Sequence, residues 1–274
     1  MSSPDIFDLL RVHPGEAPDL GAIDPGSTPG FDGGKKDAQA RVHELHDVLA
    51  DFQERLWAES KASVLVVLQG VDAAGKDGLI RKVISAFNPQ GTHVTGFGVP
   101  TEEELRHDYL WRIHAATPGK GRVGVFNRSH YEDVLVVRVN ELVPRDVWER
   151  RYDQINTFEA HLAANGTRIL KFYLHVSRDE QRRRLEKRLR NPTKHWKWSS
   201  GDLEVRERWD DYLDAYTDAL ARCSTEAAPW FVIPADRKWY RNLAVAEILA
   251  RTAAEMNPQW PAADDGMEET EIPA

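Results

Sequence analysis

The chain has 274 residues, a net charge of −8, and ordinary shares of hydrophobic and charged residues, 41% and 29%. This length can bury the core of one α/β domain. The single cysteine, Cys223, excludes an internal disulfide, and no apolar run reaches the roughly 18 residues that a membrane-spanning helix needs. The N-terminus lacks a basic-then-apolar leader. We therefore expect a cytoplasmic protein that does not bind membranes.

Strand and helix patterns alternate along the chain after an irregular start. Residues 1–34 are rich in Gly, Pro and Asp, and we expect them to form an irregular arm. Beyond this arm, helices whose apolar residues recur at three and four positions separate five short apolar runs. The five runs cover residues 63–69, 92–97, 122–126, 168–176 and 230–234. They predict a parallel five-stranded sheet with helices on both faces, a three-layer α/β/α fold.

The domain bounds follow from the same pattern. Residues 35–256 carry all of the predicted strands, and we expect them to form one domain, followed by a tail at 257–274. One helix start is signalled by Thr101 and Glu104, which have the spacing of a capping box. We expect this helix to bury Leu105, Tyr109 and Ile113 on its inner face.

A glycine-rich run follows the first apolar strand. It fits the phosphate-binding pattern G-x-x-x-x-G-K, with Gly70 and Gly75 as the glycines, Lys76 as the lysine, and Asp77 where a Ser or Thr is usual. Backbone N–H groups and the following helix N-terminus favour an anion there. Asp72 lies within the loop, where a carboxylate repels phosphates unless a cation separates them, so we expect it to bind metal. The alternative is a glycine-rich turn with a surface lysine.

Polar residues follow the third apolar run, at the edge where parallel strands bring their carboxyl ends together. Arg128 comes directly after the strand and suits bidentate phosphate binding. The alternative for Arg128 is an ion pair with Glu132. Asp133 is a second carboxylate in this turn. We expect His130 to be a packed or surface histidine rather than a base.

A strongly basic segment follows the fourth apolar run. Residues 178–197 contain nine basic side chains against three acidic ones, although the whole chain is acidic. We expect two helices, about 179–190 and 202–222, separated by a break at Asn191-Pro192. Such a helical pair could close over phosphates as a lid, which we place at about 178–212. The alternative is a solvated helix face.

Together these motifs resemble the family-2 polyphosphate kinases, a branch of the P-loop kinases that use inorganic polyphosphate as phosphoryl donor. The resemblance covers about residues 35–256. It rests on the glycine loop, on the run Gly124 to Leu135, and on Asn191-Pro192 to Trp196-Lys197 with Trp209-Asp210-Asp211-Tyr212. The closing segments Ala228-Pro229-Trp230 and Pro234-Ala235-Asp236 to Lys238 also match.

The resemblance implies Mg²⁺-dependent transfer between polyphosphate and nucleoside mono- or diphosphates, with Mn²⁺ as an alternative metal. The expected catalytic residues are Asp72, Lys76, Arg128, Glu132, Arg184 and Arg188. The expected phosphate-binding residues are Gly70, Ala73, Ala74, Gly75, Lys76, Asp77, Gly78, Arg81, Lys82, Arg128, Lys194 and Lys197. The expected metal ligands are Asp72, Asn127 and Asp133.

One departure within the family pattern suggests the acceptor. Members that act mainly on diphosphates carry Asp where Asn127 stands and Asn near Glu132, so this chain resembles the members that phosphorylate AMP and often continue to the triphosphate. The expected partners are polyphosphate and adenine nucleotides, with guanine as an alternative base, in a homo-oligomer (dimer or tetramer) that does not bind nucleic acid. Two alternatives stay open: an ATP-dependent nucleotide or metabolite kinase, and a non-catalytic polyanion- or RNA-binding module.

Overall fold

The architecture is a single mixed sheet between two layers of helices. A computed structural model describes residues 5–199 and 201–263. The expected C-terminal tail lies outside these residues beyond 263. The strands are β1 (Arg11–Val12), β2 (Ser63–Gln69), β3 (Thr92–Gly96), β4 (Val123–Asn127), β5 (Thr167–His175) and β6 (Trp230–Pro234). They lie in the order β1-β6-β5-β2-β4-β3, and all neighbours are parallel except β1 and β6.

Ten helices accompany the sheet in the described part of the chain. They are α1 (Ile6–Leu10), α2 (Lys35–Glu59), α3 (Lys76–Lys82), α4 (Trp111–Ala115), α5 (Val136–Val139), α6 (Arg145–Ala164), α7 (Arg178–Leu189), α8 (Gly201–Glu207), α9 (Trp209–Cys223) and α10 (Lys238–Met256). Single 3₁₀ turns lie at Ile84–Ala86, Pro89–Gly91, Glu104–Arg106 and His130–Asp133, and a longer one lies at Pro192–Lys197. None of the described helices is long and apolar enough to cross a membrane.

The sheet separates two hydrophobic cores. Successive side chains of a strand point to opposite faces, so Val64 and Val66 of β2 join one core while Leu65 and Val67 join the other. Helices α1, α2 and α10 complete the first core, and α6 and α9 complete the second. All seven residues of β2 are buried, as expected for a central parallel strand. The predicted three-layer P-loop kinase-like fold is therefore confirmed.

The strand count differs from the prediction of five. The sixth strand, β1, is antiparallel and pairs Arg11 with Phe231 and Val12 with Trp230. It belongs to the segment that we expected to be irregular, which also contains helix α1. Asp5 caps this helix by accepting a hydrogen bond from the Asp8 N–H. A strand of two residues has too few positions to show an alternating pattern in the sequence.

The helix expected after Thr101 is also different. The capping box forms, since the Glu104 carboxylate accepts from the Thr101 N–H and Thr101 Oγ1 accepts from the Glu104 N–H. Only one 3₁₀ turn follows, however, and Leu105 is 70% exposed rather than buried. Ile113 is buried as expected, but it lies in the separate short helix α4. The capping box therefore begins a single 3₁₀ turn here and not a longer α-helix.

Candidate active site

The glycine loop connects the end of β2 to the start of α3. Gly70 and Gly75 have φ angles of 146° and 115°, which side chains rarely adopt. Ala73 also has a positive φ, 65°, a strained conformation for a residue with a Cβ. Lys76 Nζ folds back and donates to the Gly70 carbonyl at 2.5 Å. Burial lowers the pKa of Lys76, against the opposing effect of the nearby Asp72 carboxylate.

Arg128 joins the end of β4 to this loop. Its Nη2 donates to Asp72 Oδ1 at 2.6 Å, and its Nη1 donates to Glu132 Oε2 at 3.4 Å. The residue adopts a positive φ of 64°, again a strained backbone for a side chain of this size. The structure therefore contains the Arg128–Glu132 ion pair and also places the guanidinium at the glycine loop. The two interpretations of Arg128 are compatible.

Asp72 is held in its charged form. Burial alone raises the pKa of a carboxyl group, but Lys76 and Arg128 outweigh this effect and bring the pKa of Asp72 below its usual value. A second carboxylate, that of Asp202 in α8, lies close to it, and burial together with the Asp72 charge raises the pKa of Asp202. Arg188 Nη1 donates to Asp202 Oδ2 at 2.7 Å. Our sequence reasoning missed Asp202.

The lid contacts the loop through Asp77. Asn127 Nδ2 donates to Asp77 Oδ1 at 3.0 Å, and Lys197 Nζ donates to Asp77 Oδ2. These bonds lower the pKa of Asp77, although burial opposes them. Asp77 occupies the position where a Ser or Thr is usual, so here this position connects the loop to the end of β4 and to the lid.

Arg184 of α7 uses its whole guanidinium on the protein itself. Nε donates to Glu180 at 2.8 Å, Nη1 donates to the carbonyls of Ala73 and Ala74, and Nη2 donates to those of Ala235 and Asp236. The side chain is only 9% exposed. Arg184 therefore ties the outer part of the glycine loop to the segment between β6 and α10.

The remaining residues that the sequence predicted for the site lie in the turn after β4, in α3 and in the lid. Asp133 Oδ1 accepts from Arg151 Nη1 at 2.9 Å, and burial raises the pKa of the Asp133 carboxyl group. Gly78 lies in the first turns of α3, and Arg81 and Lys82 are exposed in its last turn. Lys194 is exposed in the 3₁₀ turn of the lid.

A buried ionic cluster supports the turn that carries Arg128. Lys171 in the middle of β5 donates to Glu159 Oε2 at 2.5 Å and to the Tyr131 hydroxyl at 2.8 Å. His130 is buried and lies 3.1 Å from Glu159 Oε1, which confirms the packed histidine that we expected. Sequence reasoning missed this cluster. Its signal is a lysine within an apolar strand run and a glutamate on the apolar face of α6.

Four elements thus meet at the carboxyl edge of a parallel sheet: the glycine loop, the end of β4, the start of α7 and the segment after β6. A glycine loop with a buried lysine, an arginine opposite it and a basic helical lid define a P-loop phosphotransferase.

Comparison with known proteins identifies the branch. The family model Polyphosphate kinase 2 (PPK2) matches residues 33–261, and the chain belongs to this family. It is 52% identical over 262 residues to the AMP/ADP-polyphosphate phosphotransferase of Meiothermus ruber, covering 96% of this chain and 98% of that one. It is 44% identical over 268 residues to the ADP-polyphosphate phosphotransferase of Rhodopseudomonas palustris, covering 92% and 91%.

A solved structure agrees with this assignment. The crystal structure of Polyphosphate Kinase 2 from Arthrobacter aurescens TC1 superimposes with a TM-score of 0.93 at 45% sequence identity. The superposition covers 97% of this chain and 95% of that one.

Proposed function

We propose that this enzyme transfers the terminal phosphoryl group of inorganic polyphosphate to AMP and to ADP, in a reversible reaction. The observation that carries the proposal is the cluster of Lys76, Asp72 and Arg128 at the end of the glycine loop. The names of two relatives support polyphosphate as the donor and AMP and ADP as the acceptors: the AMP/ADP-polyphosphate phosphotransferase of Meiothermus ruber and the ADP-polyphosphate phosphotransferase of Rhodopseudomonas palustris.

The residues at this site fit a divalent cation. Mg²⁺ takes oxygen ligands and is usually held by one or two carboxylates together with substrate phosphates. Among the described residues, no group of three or more acidic, His or Cys side chains could hold a metal alone. The Asp72 carboxylate is ionised and partly accessible, with Asp202 beside it and Asn127 on the neighbouring strand end. We propose that Asp72 holds Mg²⁺, or Mn²⁺ as an alternative, which would neutralise charge on the bound phosphates.

The protein's own residues supply positioning and positive charge. The loop N–H groups and Lys76 hold the phosphate that becomes the leaving group, and Arg128 faces the phosphoryl group that moves. The acceptor is a phosphate oxygen that is already anionic, so the reaction needs no strong general base. The lid excludes water when it closes, which protects the phosphoryl group from hydrolysis.

We propose that Glu132 sets the acceptor preference toward AMP. Its carboxylate pairs with Arg128 and is only 17% exposed, so it orients the guanidinium next to the loop. ADP formed from AMP would then be converted onward to ATP. We also keep the homo-oligomer, a dimer or tetramer, as a prediction that light scattering of the purified protein can test.

One assay tests the proposed function. Purified protein is incubated with Mg²⁺ and polyphosphate, AMP and ADP are offered separately, and the nucleotide products are resolved by chromatography. We expect ADP and ATP from AMP, ATP from ADP, and no product after chelation of the metal. Turnover with ATP as donor and none with polyphosphate would instead favour an ATP-dependent kinase. If no phosphoryl transfer is detected, the result would instead favour a non-catalytic polyanion-binding protein.

A further inference from the structure

A buried lysine connects three elements beneath the 3₁₀ turn His130–Asp133. Lys171 of β5 is fully buried, and its three N–H donors match three acceptors. Nζ donates to Glu159 Oε2 of α6 at 2.5 Å, to the Tyr131 hydroxyl of the turn at 2.8 Å, and to the Cys223 carbonyl at the end of α9 at 2.6 Å. One ammonium group therefore fixes α6, α9 and the turn relative to the sheet.

Glu159 attaches the same turn a second time. Its Oε1 accepts from the Tyr131 hydroxyl at 2.9 Å and lies 3.1 Å from Nε2 of His130. Burial and the Glu159 charge raise the pKa of Tyr131 well above its usual value, so the hydroxyl stays protonated and can donate this hydrogen bond. Two consecutive side chains of the turn thus contact one buried carboxylate.

The two residues that flank these anchors face the glycine loop. Arg128 has a φ of 64°, a strained backbone that persists only where surrounding contacts hold it in place. Its guanidinium donates to Glu132 Oε2 at 3.4 Å and to Asp72 Oδ1 at 2.6 Å. The glycine loop has separate support from Arg184. A shift of the turn would therefore displace Arg128 and Glu132 while the loop stayed in place.

Stability alone gives little reason for charged groups beneath this turn. The cost of burying two charges largely offsets their attraction, and apolar side chains of similar volume often stabilise a core as well or better. A buried polar network in which each donor has an acceptor instead holds its neighbours in one arrangement. Lys171 Nζ also lies 5.2 Å from the ring centre of Tyr131 and 5.3 Å from that of Trp230. The cluster is therefore suited to fixing geometry.

We propose that Lys171, Glu159 and Tyr131 position Arg128 and Glu132 for the acceptor nucleotide. The three side chains are at most 1% exposed, so they act through the turn and do not touch the nucleotide. They are positioning residues, and their loss should weaken the acceptor more than the donor. This role rests on the proposed function, because it assumes that Arg128 and Glu132 face a nucleoside phosphate.

Two tyrosine variants that lose the same hydroxyl group test this role. Tyr131→Phe removes the group that joins the turn to Lys171 and Glu159, and the ion pair remains. Tyr240→Phe is the matched control, because Tyr240 is also fully buried and its hydroxyl donates to the Pro29 carbonyl at 2.6 Å, in the core on the opposite face of the sheet. Isothermal titration calorimetry with Mg²⁺ measures the Kd of AMP and of long-chain polyphosphate. Thermal unfolding gives Tm, and steady-state kinetics gives the KM of AMP.

Both variants should lower Tm by about 2–6 °C, since each loses buried hydrogen bonds. Only Tyr131→Phe should raise the Kd and KM of AMP, by about tenfold, because the displaced Arg128 loses part of a charge-assisted contact. Its polyphosphate Kd should change less than about twofold, since the glycine loop has its own contacts. Lys171→Met should weaken AMP at least as much at temperatures where it is folded.

Two results would overturn the proposal. One is an AMP Kd that is equal in the two tyrosine variants, which would make the cluster structural only. The other is a Tyr131→Phe variant that weakens polyphosphate as much as AMP. If Lys171→Met does not fold, the tyrosine pair decides alone.

The calorimetry does not depend on turnover. A wild type that binds AMP but transfers nothing from polyphosphate would remove the proposed function, and the AMP Kd would still decide the positioning role. A wild type that does not bind AMP would overturn both.

Discussion

Replacing Arg184 by alanine removes a buried guanidinium whose Nε and both Nη atoms donate to Glu180 and to four backbone carbonyls. Two of these carbonyls belong to the glycine loop, and the other two belong to the segment after β6. We therefore expect the variant to lose stability and to lose the geometry of the loop. The sequence alone had suggested a different role, in which Arg184 supplies charge to the moving phosphoryl group.

The size of the effect follows from the contacts. A hydrogen bond from a charged donor contributes about 1.5–3 kcal/mol, but carbonyls near a loop surface can recover part of this from water. Removing one partner of a buried ion pair costs about 3–5 kcal/mol. We expect a loss of about 3 kcal/mol in the free energy of unfolding. In a domain of this size that loss lowers Tm by about 6–12 °C.

Thermal unfolding and steady-state kinetics of three variants separate the two roles. Arg183→Ala is the matched control, because Arg183 pairs with the same Glu180 but is 71% exposed. It should leave Tm nearly unchanged. Arg184→Lys keeps the charge but lacks the planar fork that reaches four carbonyls, so we expect it to lose Tm and kcat almost as much as Arg184→Ala does.

Two results would refute this reasoning. One is an Arg184→Ala variant with the Tm of the wild type. The other is an Arg184→Lys variant that recovers most of kcat, since that would show that the charge matters more than the bonds to the loop.

Replacing Lys76 or Asp72 by alanine should lower kcat about a hundredfold or more, because each variant loses a charge contact at the transition state. Circular dichroism should show that the fold is intact. Near-normal rates in either variant would contradict the assignment of these residues to the active site. Glu132→Asn should reduce turnover of AMP more than that of ADP, and equal losses would reject Glu132 as the acceptor determinant. Glu159→Gln should cost about 3–5 kcal/mol of unfolding free energy by leaving Lys171 buried and unpaired. Burial raises the pKa of Glu159, but Lys171 and His130 outweigh burial and bring this pKa below 4.5. The stabilisation by the Glu159 carboxylate is therefore present above pH 4.5 and is lost as the pH falls below it. Chemical denaturation should show a difference in unfolding free energy between variant and wild type that shrinks in acid, and a difference that does not change with pH would contradict this. Burial raises the pKa of Cys223 to about 12, so thiol reagents should modify it only after unfolding, and rapid labelling of the native protein would contradict this.

The strands and the glycine loop could be predicted from the sequence because both leave local patterns. Buried parallel strands read as continuous apolar runs, and the loop has fixed glycine and lysine spacing. The position of Arg128 was predictable for the same reason, since it directly follows such a run.

Contacts between distant segments could not be predicted. Arg184 bonds to backbone carbonyls, which every residue has, so no sequence pattern distinguishes its role from that of Arg183. Asp202 approaches Asp72 from 130 positions further along the chain. The pairing of β1 with β6 joins residues more than 200 positions apart and involves only two residues of β1.

The first strand and helix also determine what a shortened chain would do. Strand β1 covers the edge of β6, and Phe7 of α1 packs on Phe231 with ring centroids 4.9 Å apart. A chain beginning at residue 35 would keep the whole glycine loop and lid but would leave β6 as an open edge. Open edges offer unpaired N–H and C=O groups to another molecule, so such a chain would aggregate through strand-to-strand association while its chemical groups stayed complete.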